Sequence, residues 1–161
     1  MPRHQRLLEN GAVSIDGKLR AGACIWLYKK VDGKAFLLAQ KRAKTVHNGG
    51  FYDVSAGGHI DDEETPIEGA IREAKEELGV DVSPSELVFL CAYRVSDKIV
   101  YIYISDRTEK DDVFTLDPEE VESVEWVELK NLEEFFRESL KPGLRDDGFH
   151  LEILKDTLSH K

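Results

Sequence analysis

The alternation of apolar and polar positions divides the chain into short strand-like runs around one well-marked helical segment. Strands are predicted near residues 12–18, over 22–30 (AGACIWLYK) and over 35–41 (AFLLAQK). A loop at 43–52 and a short strand near 53–56 follow. Two further runs cover 86–95 and 98–105, with Asp97-Lys98 in the turn between them. A charged loop over 106–119 leads into a strand at 121–128, and helical spacing returns at 131–140 and 148–158. Mixed strands with one mid-chain helix and helices near the end predict an α+β sandwich. With 161 residues, no internal repeat and no low-complexity linker, residues 1–161 read as a single domain.

The mid-chain helix carries its own start and stop. Thr65, Pro66 and Glu68 supply a hydroxyl cap, a first-turn proline and the acidic partner of a capping box. Gly79 ends the helix by tolerating the left-handed conformation. Ile67, Ala70, Ile71, Ala74 and Leu78 form an apolar stripe expected to pack on a sheet. Beside it stand Glu73, Glu76 and Glu77, spaced i, i+3 and i+4, so that three carboxylates share one patch. Carboxylates so close repel one another unless a cation neutralises them, and oxygen-only ligands suit Mg²⁺ or Mn²⁺. Glu64, in the preceding loop, has Arg72 as a bidentate partner. Gly57-Gly58 permit close backbone approach, and the Gly58 carbonyl is a further candidate ligand.

Residues 58–80 fit the pattern G-x5-E-x7-R-E-U-x-E-E-x-G-U, where U is small or aliphatic, at Gly58, Glu64, Arg72, Glu73, Ala74, Glu76, Glu77, Gly79 and Val80. A chance match at a given start is on the order of one in 10^8. This is the signature of the Nudix hydrolases, and the chain resembles that family at every signature position. The resemblance covers roughly residues 20–140. It implies an α/β/α sandwich with a mixed sheet between helices, and a Mg²⁺- or Mn²⁺-dependent hydrolase cleaving a diphosphate linkage in a nucleoside diphosphate joined to another moiety. By the same resemblance Gly58, Glu73, Glu76 and Glu77 hold metal, Arg72 orients the carboxylates, and Glu64 and Gly79 are structural. The water's proton goes to Glu76 or to Glu120. Many family members carry an extra glutamate before a strand, and Glu119 and Glu120 both stand there.

The stretch from Gln40 to Glu64 is similar to the branch that includes isopentenyl-diphosphate isomerase. That isomerase carries a catalytic cysteine where this chain has Ser55, and its N-terminal histidines are missing, with only His4 before residue 47. The chain therefore reads as an isomerase-like member that acts as a hydrolase. An isomerase and a catalytically silent ligand-sensing module are the other readings.

Arg42 and Lys44 are the candidate cations for substrate phosphates, whereas His47 and His59 read as polar surface. Trp26 with Tyr28, and Tyr101 with Tyr103, each share a strand face and either stack on a nucleobase or pack in the sheet. The net charge of −10 argues against a nucleic-acid polymer or an acidic membrane as partner, and no apolar run approaches a membrane span. The polar opening MPRHQRLLEN lacks a signal-peptide pattern. Cys24 and Cys91 read as buried thiols in a reducing cytoplasm. The expected partner is a small diphosphate, and a homodimer is compatible with the sequence.

Overall fold

One long strand organises the sheet. In the computed structural model, which describes residues 13–15, 18–61, 63–95, 98–139 and 148–160, β2 (Lys18–Val31) runs for 14 residues. It pairs antiparallel with β1 (Val13–Ile15), with β3 (Lys34–Arg42) at its far end, where Tyr28 faces Leu37, and with β5 (Ala56–His59), where Gly22 faces His59. Along its other side it runs parallel to β7 (Lys98–Asp106), from Ala21 opposite Ile99 to Tyr28 opposite Asp106. The short β4 (Tyr52–Asp53) and β8 (Val121–Glu128) pair with β3, and β6 (Val88–Val95) pairs with β7, giving a mixed sheet of eight strands. The β2–β3 hairpin turns at Asp32-Gly33, both with positive φ, the dipeptide a tight hairpin favours.

Helices cover both faces. Ala70, Ala74 and Leu78 of α1 (Pro66–Leu78) are fully buried on the face that presents Ile25, Leu27 and Leu38. On the other face, Leu132 and Phe136 of α2 (Leu132–Ser139) and Leu154 and Leu158 of α3 (Gly148–Ser159) close over Trp26, Leu37, Ile102 and Ile104. Burial of each leucine, isoleucine or phenylalanine among these stabilises the fold by about 1.5–3 kcal/mol. The result is the expected α/β/α sandwich.

Several local expectations are corrected. The strand expected at 22–30 begins at Lys18, and the one near 53–56 is two strands separated by Val54-Ser55. Gly57 and Gly58 are therefore strand residues of β5, hydrogen-bonded in register with β2, rather than part of a loop. The apolar stripe of α1 is narrower than its pattern: Ile67 is 37% exposed and Ile71 is half-buried. Gly69, Ala70 and Ala74 make the contact because only small residues let the helix sit this close to the sheet. The helix expected over 131–140 starts at Leu132 after a 3₁₀ turn at Leu129–Asn131. Residues 12, 16, 17, 97 and 140, which belonged to expected elements or turns, lie outside the described residues; Lys98 opens β7.

Candidate functional site: a carboxylate-lined cleft

The geometry of the site begins with the ends of α1. Thr65 Oγ1 accepts from the Glu68 N–H and Glu68 Oε2 accepts from the Thr65 N–H, each at 3.2 Å, closing a capping box. At the other end Gly79 adopts φ 70°, and its N–H donates to the Lys75 carbonyl over 3.0 Å. These caps fix which way the intervening side chains point.

Arg72 is the hub of the polar face. Its Nε and Nη2 donate to the two oxygens of Glu64 at 2.7 and 3.1 Å, a bidentate pair. Nη1 reaches Glu73 at 2.9 Å and Glu76 at 3.1 Å, while Nη2 also donates to the His59 carbonyl at 2.9 Å. The hydrogen bonds to Glu64 raise the guanidinium pKa further above its usual range. Glu64 also accepts from the Asp61 N–H, so one carboxylate ties the loop to itself and to the helix.

The three helix glutamates differ in environment. Glu77 is 7% exposed and accepts from the Gly57 N–H at 2.8 Å and from Gln40 Nε2 at 3.4 Å. Burial pushes its carboxyl up to about 8, opposed by the Gly57 hydrogen bond and aided by the nearby charge of Glu73. Burial also raises Glu73, against the pull of Arg72. Glu76 is exposed. Gly58 lies so close to Glu73 that a Cβ there would stand 2.6 Å from its carboxylate oxygen.

A strap from the charged loop faces this helix. The Thr115 N–H donates to the Leu78 carbonyl at 2.8 Å and the Asp117 N–H to the Glu77 carbonyl at 3.1 Å. These bonds satisfy carbonyls that the helix end leaves free. The turn that follows, anchored by Glu120 and Val121 N–H groups on the Asp117 carbonyl, sets Glu120 at the rim. Glu73, Glu76, Glu77, Glu120 and Gly58 thus line one cleft of about 670 Å³; Glu119 does not line it.

Among the described residues no three acidic, histidine or cysteine side chains stand as a ready metal cage. Arg72 holds Glu73 and Glu76, and Glu77 turns to Gly57 and Gln40. The donors are all oxygens, the set a hard divalent cation takes. Coordination would require the glutamates to exchange these partners for the ion.

The other candidates divide. Arg42 lines the cleft, but its Nε donates to the His47 carbonyl at 2.8 Å and Nη1 to Asp53 at 3.1 Å, so part of the guanidinium is spent holding the loop. Lys44 is exposed and lies outside the cleft lining. His47 and His59 both line it. Burial, and then Lys98 and Arg20, lower the pKa of His59. Trp26, Tyr28, Tyr101 and Tyr103 are all buried in the core, which excludes them as stacking surfaces. Cys91 is buried, but Cys24 is only partly so and reaches the cleft. Ser55 is fully buried, accepting from the Leu27 N–H and donating to the Leu38 carbonyl, and has no access to a substrate. Tyr93 also lines the cleft, and no sequence pattern singles it out. Its alternation in β6 is visible in sequence, but which face of β6 meets a cleft depends on where α3 docks.

The family model of the NUDIX domain matches residues 18–146. An uncharacterised Nudix hydrolase of Clostridium acetobutylicum is 33% identical over 135 residues, 77% of this chain; the match spans 64% of that relative's length, a little under two thirds. The 8-oxo-dGTP diphosphatase of Proteus vulgaris is 38% identical over 61 residues, covering 38% of this chain and 53% of that protein. The structure of a Caenorhabditis elegans Ap4A hydrolase binary complex superposes with a TM-score of 0.66 at 20% identity, over 88% of this chain and 99% of that one. The NUDIX domain of Shewanella oneidensis NrtR, complexed with ADP ribose, gives 0.65 at 15% identity over 98% and 99%. Structural likeness at such identities establishes the fold, and the sequence match establishes more: with its capped helix and Arg72 hub inside the matched region, the chain belongs to the NUDIX-domain family.

Proposed function

We propose that the protein is a divalent-metal-dependent pyrophosphohydrolase that cleaves the diphosphate linkage of a nucleoside diphosphate joined to another moiety. The observation that carries this reading is the convergence of Glu73, Glu76 and Glu77 from α1 with Glu120 from the facing strap on one cleft. The relatives agree in kind: one is named a diphosphatase, one solved neighbour an Ap4A hydrolase, and another holds ADP ribose.

Glu73, Glu76, Glu77 and the Gly58 carbonyl would hold Mg²⁺ or Mn²⁺, the ions Nudix enzymes generally use. Such an ion neutralises charge on the leaving phosphate and lowers the pKa of an attacking water. Glu77, buried against Gly57, is a carboxyl whose charge becomes favourable only beside a cation. Arg72 holds Glu73 and Glu76 in register with the loop through Glu64 and does not itself react. Glu76 and Glu120, both exposed at the cleft, are the groups able to take a proton from water. Arg42 adds positive charge at the rim. The net charge of −10 favours a small substrate over a nucleic-acid polymer. Among the described residues no helix is long and apolar enough to cross a membrane, and the two free thiols fit a reducing cytoplasm.

The test is release of phosphate or nucleotide from a panel of ADP-ribose, dinucleoside polyphosphates, oxidised nucleotides and simple nucleoside diphosphates, with Mg²⁺ or Mn²⁺. Turnover that requires the metal and collapses in Glu77→Gln supports the hydrolase. Absence of turnover on every compound overturns it.

A further inference from the structure

The cleft is lined by chemically different groups. The glutamates of α1 line it, and so do Tyr93, Val100 and Cys24, with Lys98 beside them. Tyr93 and Val100 are directly paired across β6 and β7, so they project on one face as a continuous aromatic and aliphatic surface. Among the described residues Tyr93 is the only Phe, Tyr or Trp lining the cleft.

The Tyr93 ring is backed from within. It stacks on the His150 imidazole of α3, with centroids 5.6 Å apart and planes 29° apart. His150 is fully buried, and its Nε2 accepts from the Trp26 indole N–H at 2.8 Å. An indole nitrogen only donates, so this bond selects the neutral tautomer with its proton on Nδ1. It also fixes the plane of the ring against which Tyr93 rests. Trp26 is itself fully buried and packs at 6.1 Å on Phe136 of α2. A side chain so supported loses little freedom when a flat ligand covers it, which is the condition for a strong stacking platform.

We infer that Tyr93 is the platform for the aromatic base of the substrate, with His150 of the C-terminal helix as its positioning residue. This rests on the hydrolase reading above and assigns the base of that substrate to Tyr93. The base lies over Tyr93 and Val100, and the diphosphate extends to the glutamates of α1. A cleft of about 670 Å³ accommodates a nucleotide.

The experiment compares AMP with ribose 5-phosphate, which share phosphate and ribose and differ by the adenine. Calorimetry with Mg²⁺ present measures both on wild type, Tyr93→Phe, Tyr93→Leu and His150→Leu. We expect AMP to bind wild type more tightly than ribose 5-phosphate. Tyr93→Leu should cut that advantage about five- to a hundredfold while leaving ribose 5-phosphate unchanged, and Tyr93→Phe should keep it. His150→Leu should weaken AMP selectively, whereas a purely structural role would weaken both ligands alike. On any base-bearing diphosphate that is turned over, Tyr93→Leu should raise KM with kcat held. Equal binding of the two ligands by wild type, no AMP binding, or an unchanged preference in Tyr93→Leu overturns the platform.

Should the leucine variants not fold, two measurements still decide. Intermolecular NOEs between adenine H2 or H8 and the Tyr93 ring in wild type must be present. His150→Gln, which keeps an acceptor for Trp26 and loses the ring, must still weaken AMP selectively. Failure of the hydrolase reading is separate and shows as absence of turnover while AMP binding still reports on Tyr93.

Discussion

Arg72 grips Glu64 with two parallel N–H···O bonds of 2.7 and 3.1 Å, locking the loop before α1 to the middle of that helix. The same guanidinium also reaches Glu73, Glu76 and the His59 carbonyl. A lysine ammonium carries the charge but not the planar fork. Arg72→Lys is therefore expected to fold and to lose about 10–100-fold in kcat or metal affinity, the usual cost of disturbing the groups that orient ligands. Glu64→Gln should behave alike, since it removes the ionic half of the same pair. Steady-state kinetics over a Mg²⁺ titration decide this, and full activity in Arg72→Lys would show that the fork is dispensable.

Addition of metal should stabilise the fold. Anything that binds only the folded chain adds about 2.7 kcal/mol at a concentration of 100 times its Kd. For a domain of this size that raises Tm by about 5–10 °C. Glu77→Gln should abolish most of the shift, while its metal-free Tm stays at or above that of wild type, because the buried position then no longer holds a carboxyl. Thermal melts with Mg²⁺ and with EDTA test both statements. A Glu77→Gln protein that keeps the full shift would remove Glu77 from the ligand set.

Two adjacent glycines should fail in different ways. A Cβ on Gly58 would meet the Glu73 carboxylate at 2.6 Å, a flexible group that can swing aside. Gly58→Ala should then melt within a few degrees of wild type yet lose on the order of tenfold in kcat. A Cβ on Gly57 would meet Cys24 Sγ at 2.5 Å and the backbone of Ala23 and Cys24 at 3.0 Å. Gly57→Ala must displace β2 and should cost about 1–3 kcal/mol of stability. Melting and kinetics on the pair separate the two modes.

The acid limb of stability should depend on Glu86. The Ser83 N–H, donating over 3.0 Å, and the Lys110 ammonium at 3.1 Å hold its carboxyl down at about 2, with Arg107 also paired at 3.2 Å. A carboxylate depressed in the folded chain contributes stability that is complete above its unfolded value of 4.5 and is lost as pH falls toward about 2. Glu86→Gln should therefore lower Tm at pH 7, flatten the decline between pH 4.5 and 2, and meet the wild-type curve at its acid end. Parallel curves over that window would refute the assignment.

How much was legible depends on the distance in sequence between interacting groups. The capping box links residues three apart, the Gly79 cap four apart, and the Glu64–Arg72 pair eight apart. Helix geometry brings the caps together, and the Glu64–Arg72 pair also needs the preceding loop to fold back, as it does where Glu64 accepts from the Asp61 N–H. The buried stripe was only half legible. Hydrophobicity pointed to Ile67, but close approach to the sheet selected Gly69, Ala70 and Ala74. The aromatic candidates failed for a related reason: alternation shows that Tyr101 and Tyr103 share a face, not whether that face is covered.

The helix, its caps and the carboxylate patch can be read from the chain alone, because each is a short-range consequence of backbone geometry, and the Arg72 pair adds only the folding of a short loop. What the patch faces is set by packing between distant parts of the chain. The bond from Gly57 to Glu77 crosses 20 positions, and that from Trp26 to His150 crosses 124. The strap that carries Glu120 is hung on the last carbonyls of α1. These contacts form only when the sheet and three helices bury their apolar faces together, and no local pattern specifies which distant partners that burial brings within reach.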